Sequence, residues 1–198
     1  MLNTFAQSLL TTALGCWVVG HRGATALWPE NTLPSLRAAR DSGAVMVEFD
    51  VQQSADGELF VFHDHTLERF CGEPLVASAL PWGVLSRKSV GRVHGQDVSI
   101  PLVEDVLTAL QRSVFYNIEL KTETVHFSGI EEKLVALITK HGLAERVLVS
   151  SFYHQSLREI RRWSSDLALG LLLSQEQSQR FSRPAEIVSY ARGYDCFA

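Results

Sequence analysis

Two strand-like runs carry charged residues spaced two apart. In VEFDV, Glu48 and Asp50 share one face of an extended segment, while Val47, Phe49 and Val51 take the other. Carboxylates roughly 7 Å apart along a strand repel, and facing an interior they are poorly solvated, so something positive must offset them. The plainer alternative is a strand-end pair that reaches solvent or an arginine. NIELK repeats the device, with Glu119 and Lys121 on one face and Ile118 and Leu120 on the other. Three converging carboxylates are the hard oxygen set that Ca2+ or Mg2+ takes, and no Cys/His spacing points to zinc. Lys121 would then meet a phosphate oxygen or neutralise Glu119. Histidines close two further runs: His21, followed by Arg22, ends 16–20, and His63 ends 59–63, with His65 two residues later. Such a set suits phosphodiester cleavage. One histidine withdraws a proton and the other protonates the leaving oxygen, while cation, Arg22 and Lys121 hold the growing negative charge. His94, His126, His141 and His154 lack this setting and read as surface or loop residues.

Strand ends must bring these residues together. Apolar or β-branched runs at 16–20, 45–51, 59–63, 114–120, 147–151 and 167–172, with a weaker one at 194–198, alternate with helix-period stretches. ENTLPSLRAARDSG sets Leu33, Leu36, Ala39 and Arg40 at helical spacing before Gly43, and LVEDVLTALQ, GIEEKLVALITKHG and YHQSLREIRRWS are amphipathic. This alternation implies a mostly parallel α/β sheet, either doubly wound or closed as a TIM-type (β/α)8 barrel. Polar residues at the C-terminal ends of successive strands favour the barrel, and GHRGA lacks the spacing of a dinucleotide-binding loop. Segment 65–100 shows Gly, Pro and Ser signals without a sustained period. It reads as a small irregular insertion after the third strand, of a length usually tied to function.

The 198 residues and 46% hydrophobic content fit one domain, 1–198. A net charge of -4 gives no basic surface for nucleic acid, so no nucleic-acid partner is expected. Cys16, Cys71 and Cys196 have no CxxC spacing and read as reduced thiols of a cytoplasmic protein. Residues 1–20 contain no Lys or Arg and no unbroken apolar span of the ~18 residues that a membrane crossing needs. The part before the first strand reads as a helical cap or arm, and no transmembrane segment is expected elsewhere.

GHRGATALWPENT, EFDVQQSADGELFVFHDHTL, IPLVEDVL, NIELK and VSSFYHQSLREIR stand in the order found in the glycerophosphodiester phosphodiesterase family, which the chain resembles over about residues 17 to 172. The resemblance implies a TIM-type barrel that binds one divalent cation, Mg2+ or Ca2+. It implies hydrolysis of a small glycerophosphodiester to sn-glycerol 3-phosphate and an alcohol. By position, His21 and His63 look like the general acid/base pair, Glu48, Asp50 and Glu119 like metal ligands, and Arg22 and Lys121 like phosphate contacts. Glu30 and Asn31 of PENT would brace the His21 loop, and 65–100 would shape the choice of alcohol. The family's barrel normally continues through at least two more strand–helix units, one carrying a GLxVxxWTVN-like segment with no match here. The barrel is therefore expected to be C-terminally incomplete, ending near the sixth strand, with open edges that invite pairing into a homo-oligomer. Alternative readings are a phospholipase C- or D-like barrel acting on other phosphodiester lipids, and a non-catalytic remnant that retains the metal.

Overall fold

A computed structural model of the chain describes residues 5, 7, 16–122 and 129–196. Strand β1 (Val19–His21) leads through helix α1 (Leu33–Asp41) to β2 (Met46–Gln53), and β3 (Leu59–Val61) returns beside β2. Short helices α2 (Glu68–Cys71) and α3 (Trp82–Leu85) follow, then the hairpin β4 (Ser89–Val93) and β5 (Gln96–Ser99). From there strand and helix alternate: α4 (Val103–Leu110), β6 (Phe115–Leu120), α5 (Ile130–Lys140), β7 (Val147–Ser151), α6 (His154–Trp163), β8 (Ala168–Leu171), α7 (Gln175–Ser178) and α8 (Pro184–Arg192).

Strands β1, β2, β6, β7 and β8 pair in that order, each parallel to its neighbour. The expected alternation of strand and helix is thus present, on the fold class expected, but the run at 59–63 does not add a barrel strand. β3 pairs antiparallel to β2, with Val51 opposite Val61 and Gln53 opposite Leu59. The link from Ser54 to Glu58 is far too short for the crossover of a dozen or more residues that a parallel return requires. Five parallel strands, not six, are therefore present among the described residues. The weak run at 194–198 is no strand where it is described: Tyr194 and Asp195 turn out of α8, and residues 197–198 lie outside the described residues.

The two faces of the sheet divide the work. Toward the helices, Val47, Phe49, Val51, Tyr116, Ile118, Leu120, Val147, Val149 and Leu169 are buried in one cluster with Leu36, Leu107, Leu134 and Leu157. Burying aliphatic and aromatic side chains there stabilises the fold by about 1.5–3 kcal/mol for each one removed from water. On the opposite face, Met46 and Ala168 pack with Phe5, Trp17, Phe115 and Leu148 around the strand starts. Phe5 and Gln7 are helical, and the rest of the expected N-terminal cap lies outside the described residues. Further along that same face the apolar residues give way to Glu48, Asp50 and Glu119, so an apolar plug underlies a polar mouth.

Segment 65–100 is less irregular than its sequence implies. Its hairpin and short helices enclose a second cluster of Phe60, Phe62, Leu67, Ala77, Leu85, Val90 and Ile100. Elements of four or five residues are too short to show a period. Cys16, Cys71 and Cys196 are unpaired. Among the described residues no helix is long and apolar enough to cross a membrane.

Candidate functional site

The register of the parallel strands aligns the polar side chains. His21 pairs with Glu48, Glu48 with Asn117, Asp50 with Glu119 and Glu119 with Ser150. One oxygen from each of Glu48, Asp50 and Glu119 lies within 4.8 Å of the others, a grouping that could hold a metal ion. Two cations flank it. Lys121 Nζ donates to Glu119 and stands 3.1 Å from Asp50 Oδ1. Arg22 Nε stands 3.3 Å from Asp50 Oδ2, and the Arg22 backbone N–H donates to Glu48 Oε2 at 2.9 Å. His21 Nε2 lies 3.7 Å from the same Glu48 oxygen.

Three carboxylates thus face two cations, and the balance is uneven. Burial pushes the Glu48 carboxyl up to about 8, the charge of Asp50 adds to the rise, and the Arg22 N–H opposes it. Burial alone would lower Lys121, but Glu119 and Asp50 hold it above its ordinary value. Glu48 Oε1 is buried without a hydrogen-bond donor. A hard-oxygen donor set, the orphaned buried Oε1 of Glu48 and one carboxyl driven to keep its proton all fit a divalent cation.

The PENT segment braces this cluster directly. Buried Asn31 donates through Nδ2 to Asp50 Oδ2 at 2.8 Å and accepts from the Asp50 N–H through Oδ1 at 3.2 Å. Thr32 caps α1 by accepting from the Ser35 N–H, and the Ser35 hydroxyl donates to the Arg22 carbonyl at 3.2 Å. Gly23, at φ +93°, lets the site loop lie against this first turn. A Cβ there would fall 2.6 Å from the Ser35 carbonyl carbon and 2.8 Å from the Leu36 nitrogen. Gly23→Ala is therefore expected to destabilise the fold by more than about 1 kcal/mol, read as a lower urea midpoint.

His63 enters from the loop after β3. Gln52, next along the Glu48–Asp50 face of β2, holds that loop by donating to the carbonyls of Phe62 (2.9 Å) and Asp64 (2.8 Å). His63 Nδ1 lies 2.7 Å from Asp64 Oδ1. Arg69 bridges Asp64 and Glu30, and Glu30 accepts from Arg22 Nη1 at 2.9 Å. The structure thus brings His21, Arg22, Glu48, Asp50, Glu119 and Lys121 into one cluster and joins His63 to it through charged side chains. Sequence reasoning missed Gln52, Asp64 and Arg69. The first two had signals, since Gln52 continues the alternation of EFDVQ and Asp64 follows His63. His65 is exposed and its carbonyl accepts from Ala77.

Of the histidines read as surface or loop residues, His154 differs. Its Nε2 donates to the Leu172 carbonyl at 2.8 Å, and Tyr190 Oη lies 3.1 Å from Nδ1, so it pins α6 to the chain after β8. His126 lies outside the described residues.

Arg69 hydrogen bonds hold Asp64 down from 3.8 to about 2, against burial and with help from His63. A lowered folded-state pKa means that the stabilisation is complete above 3.8 and lost as pH falls toward 2. The stability gap between wild type and Asp64→Asn is therefore expected to be constant above that window and to narrow within it, measured by urea midpoints across pH.

The model of the glycerophosphoryl diester phosphodiesterase family matches residues 21–193. A glycerophosphodiester phosphodiesterase of Caldanaerobacter subterraneus is 34% identical over 78% of this chain, and one of Bacillus altitudinis is 37% identical over 78%. The chain covers 65% of the length of each of these relatives. Among solved structures, a phosphodiesterase of Oleispira antarctica in complex with the product sn-glycerol-3-phosphate is similar, with a TM-score of 0.74 and 27% identity over 91% of this chain and 72% of that one. A glycerophosphodiester phosphodiesterase of Agrobacterium tumefaciens gives 0.70 and 26% over 78% of this chain and 66% of that one. With its polar cluster at the ends of parallel strands and a match spanning most of its length, this chain belongs to the glycerophosphoryl diester phosphodiesterase family.

Proposed function

We propose that the protein hydrolyses glycerophosphodiesters to sn-glycerol 3-phosphate and an alcohol. The observation that carries this reading is the buried cluster of three carboxyls, confined enough that Glu48 is driven to keep its proton, flanked by an arginine, a lysine and an exposed histidine. Glu48, Asp50 and Glu119 would hold one Mg2+ or Ca2+, which when bound supplies charge stabilisation at the phosphate. Arg22 and Lys121, each anchored by Asp50, present N–H donors to the phosphate oxygens. His21 and His63 exchange protons with the attacking hydroxyl and the leaving oxygen. The product seen in the Oleispira antarctica relative supports this choice of substrate. Unpaired Cys16, Cys71 and Cys196 agree with a cytoplasmic setting.

The test is which P–O bond breaks. With glycerophosphocholine and a divalent cation, 31P NMR is expected to show glycerol 3-phosphate accumulating. Phosphocholine as the product would replace this reading with a phospholipase C-like one, and folded, metal-loaded protein that cleaves no glycerophosphodiester would refute it.

A further inference from the structure

We propose that Arg69, on the insertion helix α2, is a positioning residue that sets both the acid/base histidine and the phosphate-binding arginine. The roles of those two residues rest on the function proposed above. The guanidinium grips two carboxylates at once. Nε donates to Asp64 Oδ2 at 2.6 Å and Nη2 to Asp64 Oδ1 at 2.7 Å. On the other side Nη2 donates to Glu30 Oε1 at 2.7 Å and Nη1 to Glu30 Oε2 at 3.1 Å. Only the planar fork of arginine spans both in this way, because a lysine ammonium offers a single point of charge.

Each carboxylate then hands the constraint on. Asp64 Oδ1 also faces His63 Nδ1, and an ionised carboxylate only accepts, so the Nδ1 of a neutral ring must carry its hydrogen. Nε2 is left as the nitrogen that exchanges a proton with substrate. Glu30 Oε1 also accepts from Arg22 Nη1 at 2.9 Å, and Arg22 Nε reaches Asp50 at 3.3 Å. Arg69 is thereby the link between the His63 loop and the loop carrying Arg22.

The frame around Arg69 is built to hold it there. Its guanidinium lies 4.2 Å from the Phe70 ring centroid, and Phe70 packs edge-on against Phe62, the residue before His63. The same insertion seats its hairpin on PENT, where a Cβ on Gly91 would fall 2.5 Å from the Pro29 ring. Glu30, His63 and Asp64 also bring ligand atoms within 4.8 Å of one another. The Arg69 guanidinium already supplies the positive charge of that group, so it is not read as a second metal site. The Arg69 side chain is 48% exposed, so solvent screens its ion pairs and their share in folding is modest beside their effect on geometry.

The test uses the full chain with Arg69→Met, Arg69→Lys, Asp64→Asn and the double variant Asp64→Asn/Arg69→Met. Arg69→Met is expected to lower kcat about 10–100-fold with far-UV circular dichroism unchanged, and Arg69→Lys to recover part of the loss. On the Asp64→Asn background, removing Arg69 is expected to add little in kcat and to raise KM, because only the Glu30–Arg22 arm is then left to lose. Imidazole 15N NMR is expected to show His63 as the Nδ1–H form in the wild type and a tautomer mixture in Arg69→Met. An unchanged kcat, fully multiplicative kcat losses, or an unchanged His63 tautomer would overturn the proposal. If the wild type hydrolyses no glycerophosphodiester, the proposed function fails by itself, and the NMR comparison still decides whether Arg69 positions His63.

Discussion

Replacing His63 by Ala is expected to lower turnover of a glycerophosphodiester about 10^2–10^4-fold, the usual worth of a positioned acid or base. Stability should barely move, because the side chain is 32% exposed and packs into neither main cluster. Substitutions at such surface positions stay within about 0.5 kcal/mol. Asp64 keeps both of its bonds from Arg69 when the ring is gone, so no buried charge is stranded. His21→Ala should behave in the same way, with its 71% exposed side chain. The pair of measurements is kcat for each variant and the urea midpoint of each. A large activity loss with matched midpoints assigns the effect to chemistry. Turnover within a few-fold of wild type in both variants would remove the two-histidine mechanism.

Glu48→Gln is expected to act in opposite directions on stability and on function. In the metal-free protein Glu48 shares a buried cluster with Asp50 and Glu119, and one of its oxygens has no donor. Glutamine has nearly the same shape, can still accept the Arg22 N–H through its carbonyl, and offers hydrogens toward the remaining carboxylates. Below about pH 8 the fold must hold Glu48 protonated, while the unfolded chain ionises it above 4.5. Glutamine removes that cost, so it should stabilise the metal-free fold near neutral pH by about 1–2 kcal/mol. The same change removes one of the proposed metal ligands and should abolish the rise in melting temperature expected of the wild type with Mg2+ or Ca2+, which would come from preferential binding to the folded state. Thermal melts with and without cation check both halves. A destabilised variant, or one that keeps the full metal-dependent shift, would contradict the cluster as drawn.

The site was legible where alternation carries it. Glu48 and Asp50, with Glu119 and Lys121, declared a shared face because the strand period is two, and the parallel register then set them side by side. The direction of β3 was not legible from its apolar run, since parallel and antiparallel strands share that period. The turn residues Asp56 and Gly57 in SADGE were the available signal, too short a link for anything but a hairpin. Arg69 was out of reach for another reason. It sits in a four-residue helix without a period, and its partner Glu30 is 39 positions away, so only the folded insertion brings them together. His154 was underestimated because its partners, Tyr190 and the Leu172 carbonyl, come from elements that converge only after β8.

The proposed enzyme is a cation-dependent phosphodiesterase built on Glu48, Asp50 and Glu119. Its most direct test is the release of sn-glycerol 3-phosphate from glycerophosphoethanolamine by purified protein that has been stripped with a chelator and then titrated with Mg2+ or Ca2+. Release is expected to vanish on stripping and to return with the cation in the wild type, but not in Glu48→Gln. Release that persists at full rate after stripping, or that returns equally in the variant, would contradict it.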